Sequence, residues 1–166
     1  FLIDNIAINC NISFCHTKNP LIKQYADHCK ISDCLVTLIH NQLTEEVNGI
    51  SKIETMIFKD APSRARRIVR DGDVIVSTVR TYLEAIAPIN NPPENLIVST
   101  GFAVIHPNQY LYKSFASYCL RAKGFIKEVV ARSVGVSYPA INSSDLVNIA
   151  IPSIEYAEQV KIANFL

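Results

Sequence analysis

Asp71-Gly72-Asp73-Val74-Ile75-Val76-Ser77-Thr78-Val79-Arg80-Thr81-Tyr82-Leu83 is the stretch whose reading decides the fold. The turn dipeptide Asp71-Gly72 leads into Asp73–Val79, a β-branched run suited to a half-buried strand. Arg80-Thr81-Tyr82 follows at once, so a strand end delivers a guanidinium, a hydroxyl and an aromatic ring onto a loop. Rigid scaffolds present recognition surfaces in this way. The plainer reading is a polar loop with Tyr82 tucked against the sheet. Downstream, Ala85–Ile89 predicts a second strand. Asn90-Asn91-Pro92-Pro93 predicts a loop, because proline neither continues a helix nor donates to a ladder. Leu96–Ile105 predicts another strand, with Gly101 as a bulge or close approach.

Pro107-Asn108 then opens a helix expected to run to about Arg132. Its apolar residues Leu111, Phe115, Tyr118, Cys119, Ile126, Val129 and Val130 recur at intervals of three and four. Gly124 is the expected weak point of that helix. Residues 133–144 (SVGVSYPAINSS) are too rich in small polar residues, glycine and proline for one regular element. Asn148–Ile151 reads as a short strand. Pro152-Ser153 caps a last helix, with Glu155 and Glu158 in its favourable first turns. Upstream, residues 41–63 predict a connection and a short strand around Ile53–Phe58. Residues 21–40 suggest helix then strand, and residues 1–15 alternate loosely enough for a strand or two. The fold class expected is mixed α/β (α+β). A single domain over residues 1–152 holds a twisted sheet with peripheral helices, and residues 153–166 begin a long helix.

Composition narrows the function classes. The chain has 166 residues, 49% hydrophobic and 19% charged, which suits one domain with its own core and not a disordered tail. Sixteen basic against fifteen acidic residues exclude a strongly basic, histone-like binder. A run of apolar residues long enough to span a membrane is absent from the sequence. Five cysteines, an odd number without a secretory signal, point to free thiols in a reducing cytoplasm. Phe1 is not an initiator methionine and the last helix still runs at Leu166, so a segment of a longer chain is expected. Charge is uneven. Residues 61–132 carry ten basic against five acidic residues, whereas the segments on either side are each net negative. A polyanion would dock on the middle.

Several motifs invite sharper chemistry. Cys10, Cys15, His16, His28, Cys29, Cys34 and His40 give two C-x4-C spacings with nearby histidines. Structural zinc prefers tighter knuckles in glycine-containing turns, so core or surface side chains are the better reading, with a stand-alone metal-binding protein as one alternative. Asn91-Pro92-Pro93-Glu94 approaches the tetrapeptide of DNA adenine methyltransferases, but Glu94 stands where an aromatic ring would stack on the flipped base. The five glycines are isolated and give no G-x-G cofactor loop. A degenerate methyltransferase fragment is therefore the other alternative. No G-x-S-x-G, H-E-x-x-H or Walker sequence occurs. His106, before Pro107 at a strand end, reads as a boundary residue. Arg64, Arg66, Arg67 and Arg70 suit phosphate or guanine, since planar guanidinium forks match both. A solvated face is the bland counterpart.

Taken in order, Asp60-Ala61-Pro62-Ser63-Arg64-Ala65-Arg66-Arg67, the DGDVIVSTVRTYL stretch at 71–83, Ser99-Thr100-Gly101-Phe102-Ala103-Val104 and ARSVGVSYPAINSSDL at 131–146 resemble target-recognition domains of type I restriction–modification specificity subunits. The ending Ile149-Ala150-Ile151-Pro152, with Glu158-Gln159 and Lys161–Leu166, looks like the start of that family's spacer helix. The resemblance covers roughly residues 58–166. Thr81 departs from it, standing where proline is often expected. What the resemblance implies is a DNA-reading piece without an active site. Each of two such domains would read half of a split target in double-stranded DNA. Methyltransferase subunits would supply S-adenosylmethionine and methyl transfer, and a restriction/translocase subunit would use ATP and Mg. No cofactor is expected in this chain, no membrane partner either, and the location expected is cytoplasmic.

On that reading Arg64, Arg66, Arg67, Lys123, Lys127 and Arg132 supply mainly positioning charge. Arg80, Thr81, Tyr82, Ser133, Ser137, Tyr138 and Asn142 form the reading or groove-adjacent set. Gly135 would let the backbone approach DNA closely. The alternative for 133–144 is a structural turn that closes the domain, since Ile141 and Leu146 look buried.

Overall fold

A computed structural model describes residues 35–39 and 53–166. Seven strands and four α-helices lie among the described residues. The strands are β1 (Leu35–Ile39), β2 (Ile53–Ile57), β3 (Ala65–Ile68), β4 (Val74–Ser77), β5 (Ile86–Pro88), β6 (Leu96–Ser99) and β7 (Phe102–Ile105). The helices are α1 (Lys113–Arg121), α2 (Lys123–Ala131), α3 (Ser143–Val147) and α4 (Tyr156–Phe165). One sheet has the order β2-β1-β6-β3, the other β5-β4-β7. Only the β1–β6 pairing is parallel among those described. The mixed α/β class expected from the sequence is the one found. Its sheet is split in two.

Alternation within the strands explains the layering. Ile75 of β4 and Phe102 and Val104 of β7 pack with Leu96 and Val98 of β6 and with Ile39, filling the space between the sheets. Val74, Val76, Ala103 and Ile105 point the other way, onto Phe115, Cys119 and Leu120 of α1 and Phe125 and Val129 of α2. Successive residues of a strand face opposite sides, so each strand of the smaller sheet serves two cores. Ile97, the odd residue of β6, joins Leu38 and Ala65 in a third cluster on the outer face. Burial pushes the Cys119 thiol up to about 11, as suits core filling and not nucleophilic work.

Four expectations are corrected. Leu96–Ile105 is not one strand: Thr100-Gly101 turns the chain from the larger sheet into the smaller. The expected helix from Pro107 starts only at Lys113, because Asn108 Oδ1 accepts from Tyr110 N at 2.9 Å and the Asn108 carbonyl from Leu111 N at 3.0 Å, closing turns there. It breaks at Ala122, which is extended (φ −66°, ψ 141°), while Gly124 sits inside α2. The break shifts the buried stripe: unbroken periodicity would carry it from Cys119 to positions 122 and 126, whereas Phe125 and Val129 are the residues buried. Asn148–Ile151 has no ladder partner among the described residues. Ile149 and Ile151 are buried against the helices, and α3 precedes them.

The last helix begins at Tyr156 instead of Ser153 and is tied to the body by one buried amide. Gln159 Oε1 accepts from Tyr112 N at 2.8 Å, and Nε2 donates to the carbonyls of Tyr110 at 3.0 Å and Ile154 at 2.9 Å. Ala163 is buried on the same helix, while Phe165 and Leu166 are exposed. The expected strands in 1–15, any helix between 21 and 34, and the Cys/His set Cys10, Cys15, His16, His28, Cys29, Cys34 and His40 lie outside the described residues.

Two stability outcomes follow from this packing. Gly124→Ala should stabilise the domain by about 0.5–1 kcal/mol in denaturant unfolding, since a Cβ there meets nothing within 4 Å and the backbone is helical. Gln159→Ala should cost about 2 kcal/mol, because it strands backbone groups of Tyr110 and Tyr112. Faster amide exchange confined to residues 154–166 would accompany it.

Candidate nucleic-acid interface

The end of β4 is the hub of the site. Thr78 N and Thr78 Oγ1 both donate to the Gly101 carbonyl, at 2.8 and 2.9 Å. Next to Gly101, Thr100 N donates to the Arg64 carbonyl at 2.8 Å. The Thr78 carbonyl in turn accepts from Ile141 N at 3.0 Å, and Arg80 N donates to the Pro139 carbonyl at 2.7 Å. One chain of backbone bonds thus links the start of β3, the β6–β7 turn, the end of β4 and the 133–142 segment. Residues far apart in sequence share one end of the domain.

Arg80 is the most deliberately placed side chain there. Its backbone is left-handed (φ 53°, ψ 51°), a conformation that costs a non-glycine residue strain and needs support. Support comes from Pro139 on one side and from the short 3-10 turn Thr81–Leu83 on the other, where Leu83 N donates to the Arg80 carbonyl at 2.9 Å. The exposed guanidinium lies over the Tyr138 ring, 4.7 Å from its centroid. Stacking holds the fork in place while leaving its edge donors outward.

Thr81 and Ser133 do something else. Ser133 Oγ donates to the Val129 carbonyl at 2.7 Å, which uses its one proton. Thr81 Oγ1, 2.7 Å away, must therefore donate to Ser133 Oγ. Thr81 is buried, so this pair clamps the 3-10 turn to the end of α2. Arg132 is similarly engaged. Nε and Nη2 donate to Glu128 Oε2 at 3.3 and 3.1 Å, and Nη1 reaches the carbonyls of Asp145 and Asn148. It staples α2 to α3.

The arginine cluster divides. Arg64 is exposed beside a shallow pocket of about 240 Å³ lined by Leu38, Ile39, Ser63 and Ser99. Arg66 lies over the Phe58 ring at 5.1 Å and donates to the Ala65 carbonyl at 2.8 Å. Arg67 donates to the Phe102 carbonyl, bracing the two sheets across the β6–β7 turn. Lys123 and Lys127 are exposed on α2, which packs against the Thr81–Leu83 turn. Tyr82 is half exposed, so the reading that tucks it into the sheet does not hold.

The segment after α2 is built for a tight path. Val134 N and Ala140 N each donate to the other's carbonyl at 2.9 Å, closing a loop over 135–139. Gly135 sits at φ 117°, and a Cβ there would stand 3.2 Å from the Tyr138 carbonyl oxygen. Glycine is needed here by the loop's own closure. Ser137, Tyr138 and Asn142 are exposed. His106, read from the sequence as a boundary residue, pairs with buried Asp73 at 2.6 Å, and Asp73 also accepts from Arg70 N. Asn91 N donates to Asp71 Oδ1 at 2.8 Å, which pins the Asn-Pro-Pro loop to the turn before β4.

No protein-family model matches the chain. The specificity subunit of the type I restriction enzyme HindI from Haemophilus influenzae is 24% identical over 122 residues, which cover 72% of this chain and 27% of that protein. The crystal structure of an HsdS subunit from Thermoanaerobacter tengcongensis superposes with a TM-score of 0.72 at 30% identity, over 82% of this chain and 36% of that one. A chain from a structure of complex assembly and conformational transition in the type I R-M system gives 0.70 at 31% identity, over 81% and 36%. The chain thus spans between about a quarter and a third of the length of these relatives. In its ordered sequence blocks and in its fold, it resembles a target-recognition domain of a type I restriction–modification specificity subunit.

Proposed function

We propose that this chain reads double-stranded DNA as a target-recognition domain of a type I specificity subunit, and that it does no chemistry itself. Methyl transfer with S-adenosylmethionine belongs on this reading to methyltransferase subunits, and ATP- and Mg-dependent translocation and cleavage to a restriction subunit. The cytoplasm, where such DNA lies, is its location. Neither the fold nor the relatives favour a methyltransferase or a stand-alone metal protein. On this reading residues 1–152 belong to the reading domain, and the helix that starts at Tyr156 begins the spacer.

One observation carries the reading: Arg80, strained into place and stacked on Tyr138, stands at the hub that unites Arg64 with the 133–142 segment. A stacked, oriented guanidinium meets the geometric demand of a guanine edge, O6 and N7 together. Arg64, Lys123 and Lys127 are exposed and suit phosphates, which fix register without reading sequence. Arg66, Arg67 and Arg132 stand against protein groups, and their role on this reading is to hold the surface in shape.

Two measurements on the intact subunit assembled with its methyltransferase partners test this. With Arg64, Lys123 and Lys127 on phosphates, replacing all three by Ala should make the fall of log affinity with log salt shallower by about 3. An unchanged slope removes these phosphate assignments. Arg80→Ala should weaken binding to the duplex methylated in cells by about 1–3 kcal/mol and relax selectivity at one base pair. Unchanged affinity would remove Arg80 from the reading set.

A further inference from the structure

Val136 is fully exposed at the apex of the loop closed by Val134 and Ala140, and Val134 and Tyr138 beside it are 75% and 61% exposed. Burying a valine is worth about 1.5–3 kcal/mol, and that gain is left unused at the most exposed large apolar side chain among the described residues. The backbone beneath is not loose. Reciprocal 2.9 Å bonds close the loop, Pro139 is bonded to Arg80, and Ile141 is bonded to Thr78. Gly135 allows the turn that throws the next residue outward. A β-branched side chain on a fixed backbone has little rotamer freedom left to lose when it meets a partner.

The surroundings indicate what the partner is. The Arg80 guanidinium stacks on Tyr138, two residues from the apex, and Ser137 is exposed between them. A small apolar tip beside a cation and a hydroxyl matches a duplex groove, where apolar base surface lies between walls of phosphate. Arginine and tyrosine also occur at protein interfaces, but a protein partner calls for a broader buried apolar centre than a single exposed tip offers.

We propose that Val136 is a base-contacting residue, a rigid apolar tip that packs on base surface within the groove engaged by Arg80. The inference rests on the DNA-reading assignment above and adds a contact to it. The surface met is either a thymine C5-methyl group or the face of a base whose stacking the tip has opened.

Val136→Ser tests it, because serine removes both methyls at a fully exposed site. The probes are a duplex carrying the site mapped by methylation in cells and a scrambled duplex of equal length, each titrated with the assembled complex. The variant should bind the mapped duplex about fivefold or more weakly. Binding to the scrambled duplex and the salt slope should be unchanged, since no charge is altered. Replacing thymine by uracil at single positions should weaken the native complex and not the variant if the methyl is the contact. Fluorescence of 2-aminopurine should brighten with the native complex alone if the tip opens a step. Equal affinity for Val136→Ser, alongside a loss for Arg80→Ala, would overturn the tip while leaving DNA reading intact. Failure of Val136→Ser to assemble with the methyltransferase subunits would make the tip a protein contact and overturn it. No effect of either substitution would overturn both assignments.

Discussion

The Gly101 carbonyl is the point on which the rest of the structure depends. It accepts both the amide and the hydroxyl of Thr78, at the turn where the chain leaves one sheet for the other. The turn sets β6 and β7 back to back in different sheets, so that Phe102 and Val104 face Leu96 and Val98 across a shared core. With Arg64 held on one side through Thr100 and Ile141 on the other through Thr78, the same turn gathers Arg64, Arg80 and the 133–142 segment of the proposed DNA surface. Backbone bonds do the gathering. The side chains presented there can therefore differ without loss of the frame.

Burial on both faces is why that frame is rigid. β4 and β7 lie between two cores, with Val74, Val76, Ala103 and Ile105 against helices and Ile75, Phe102 and Val104 against the other sheet. A strand so enclosed cannot slip by one residue without exchanging its whole set of contacts. Arg80 leaves the end of this strand, and its left-handed backbone is tolerable because the strand before it and Pro139 beside it have no slack.

Much of this was legible in the chain itself. The run Val74–Ser77, the strand at Ile86–Pro88, the strand at Ile53–Ile57 and the delivery of Arg80 at a strand end all follow from β-branched patterning and turn residues. Ala65–Ile68 was not legible as a strand, because two of its four residues are arginines and its pairing is irregular between Ala65 and Arg67. The helix does break near the weak point expected at Gly124, but alanine, the best helix former, does not signal the exact place; that comes from the need to bury Phe125 and Val129. Ile149 and Ile151 alternate as a strand would, yet no neighbour among the described residues offers a ladder. Within the site, residue type put Arg80 and Tyr138 in one candidate set, and the structure brings the two side chains together. Residue type could not show that Thr81, Ser133 and Arg132 face inward partners, because the Thr81–Ser133 and Arg132–Asn148 bonds join segments only the folded chain brings together. Val136 was passed over because an exposed valine has no signature in sequence.

Gln159 gives the domain a mechanical property. One side-chain amide spans the Tyr110 and Tyr112 backbone and the Ile154 carbonyl, with Ala163 seated one turn further along α4. The joint between helix and body is welded instead of pivoted. A tilt imposed at the exposed Phe165–Leu166 end of α4 would be passed undiminished to the body beneath.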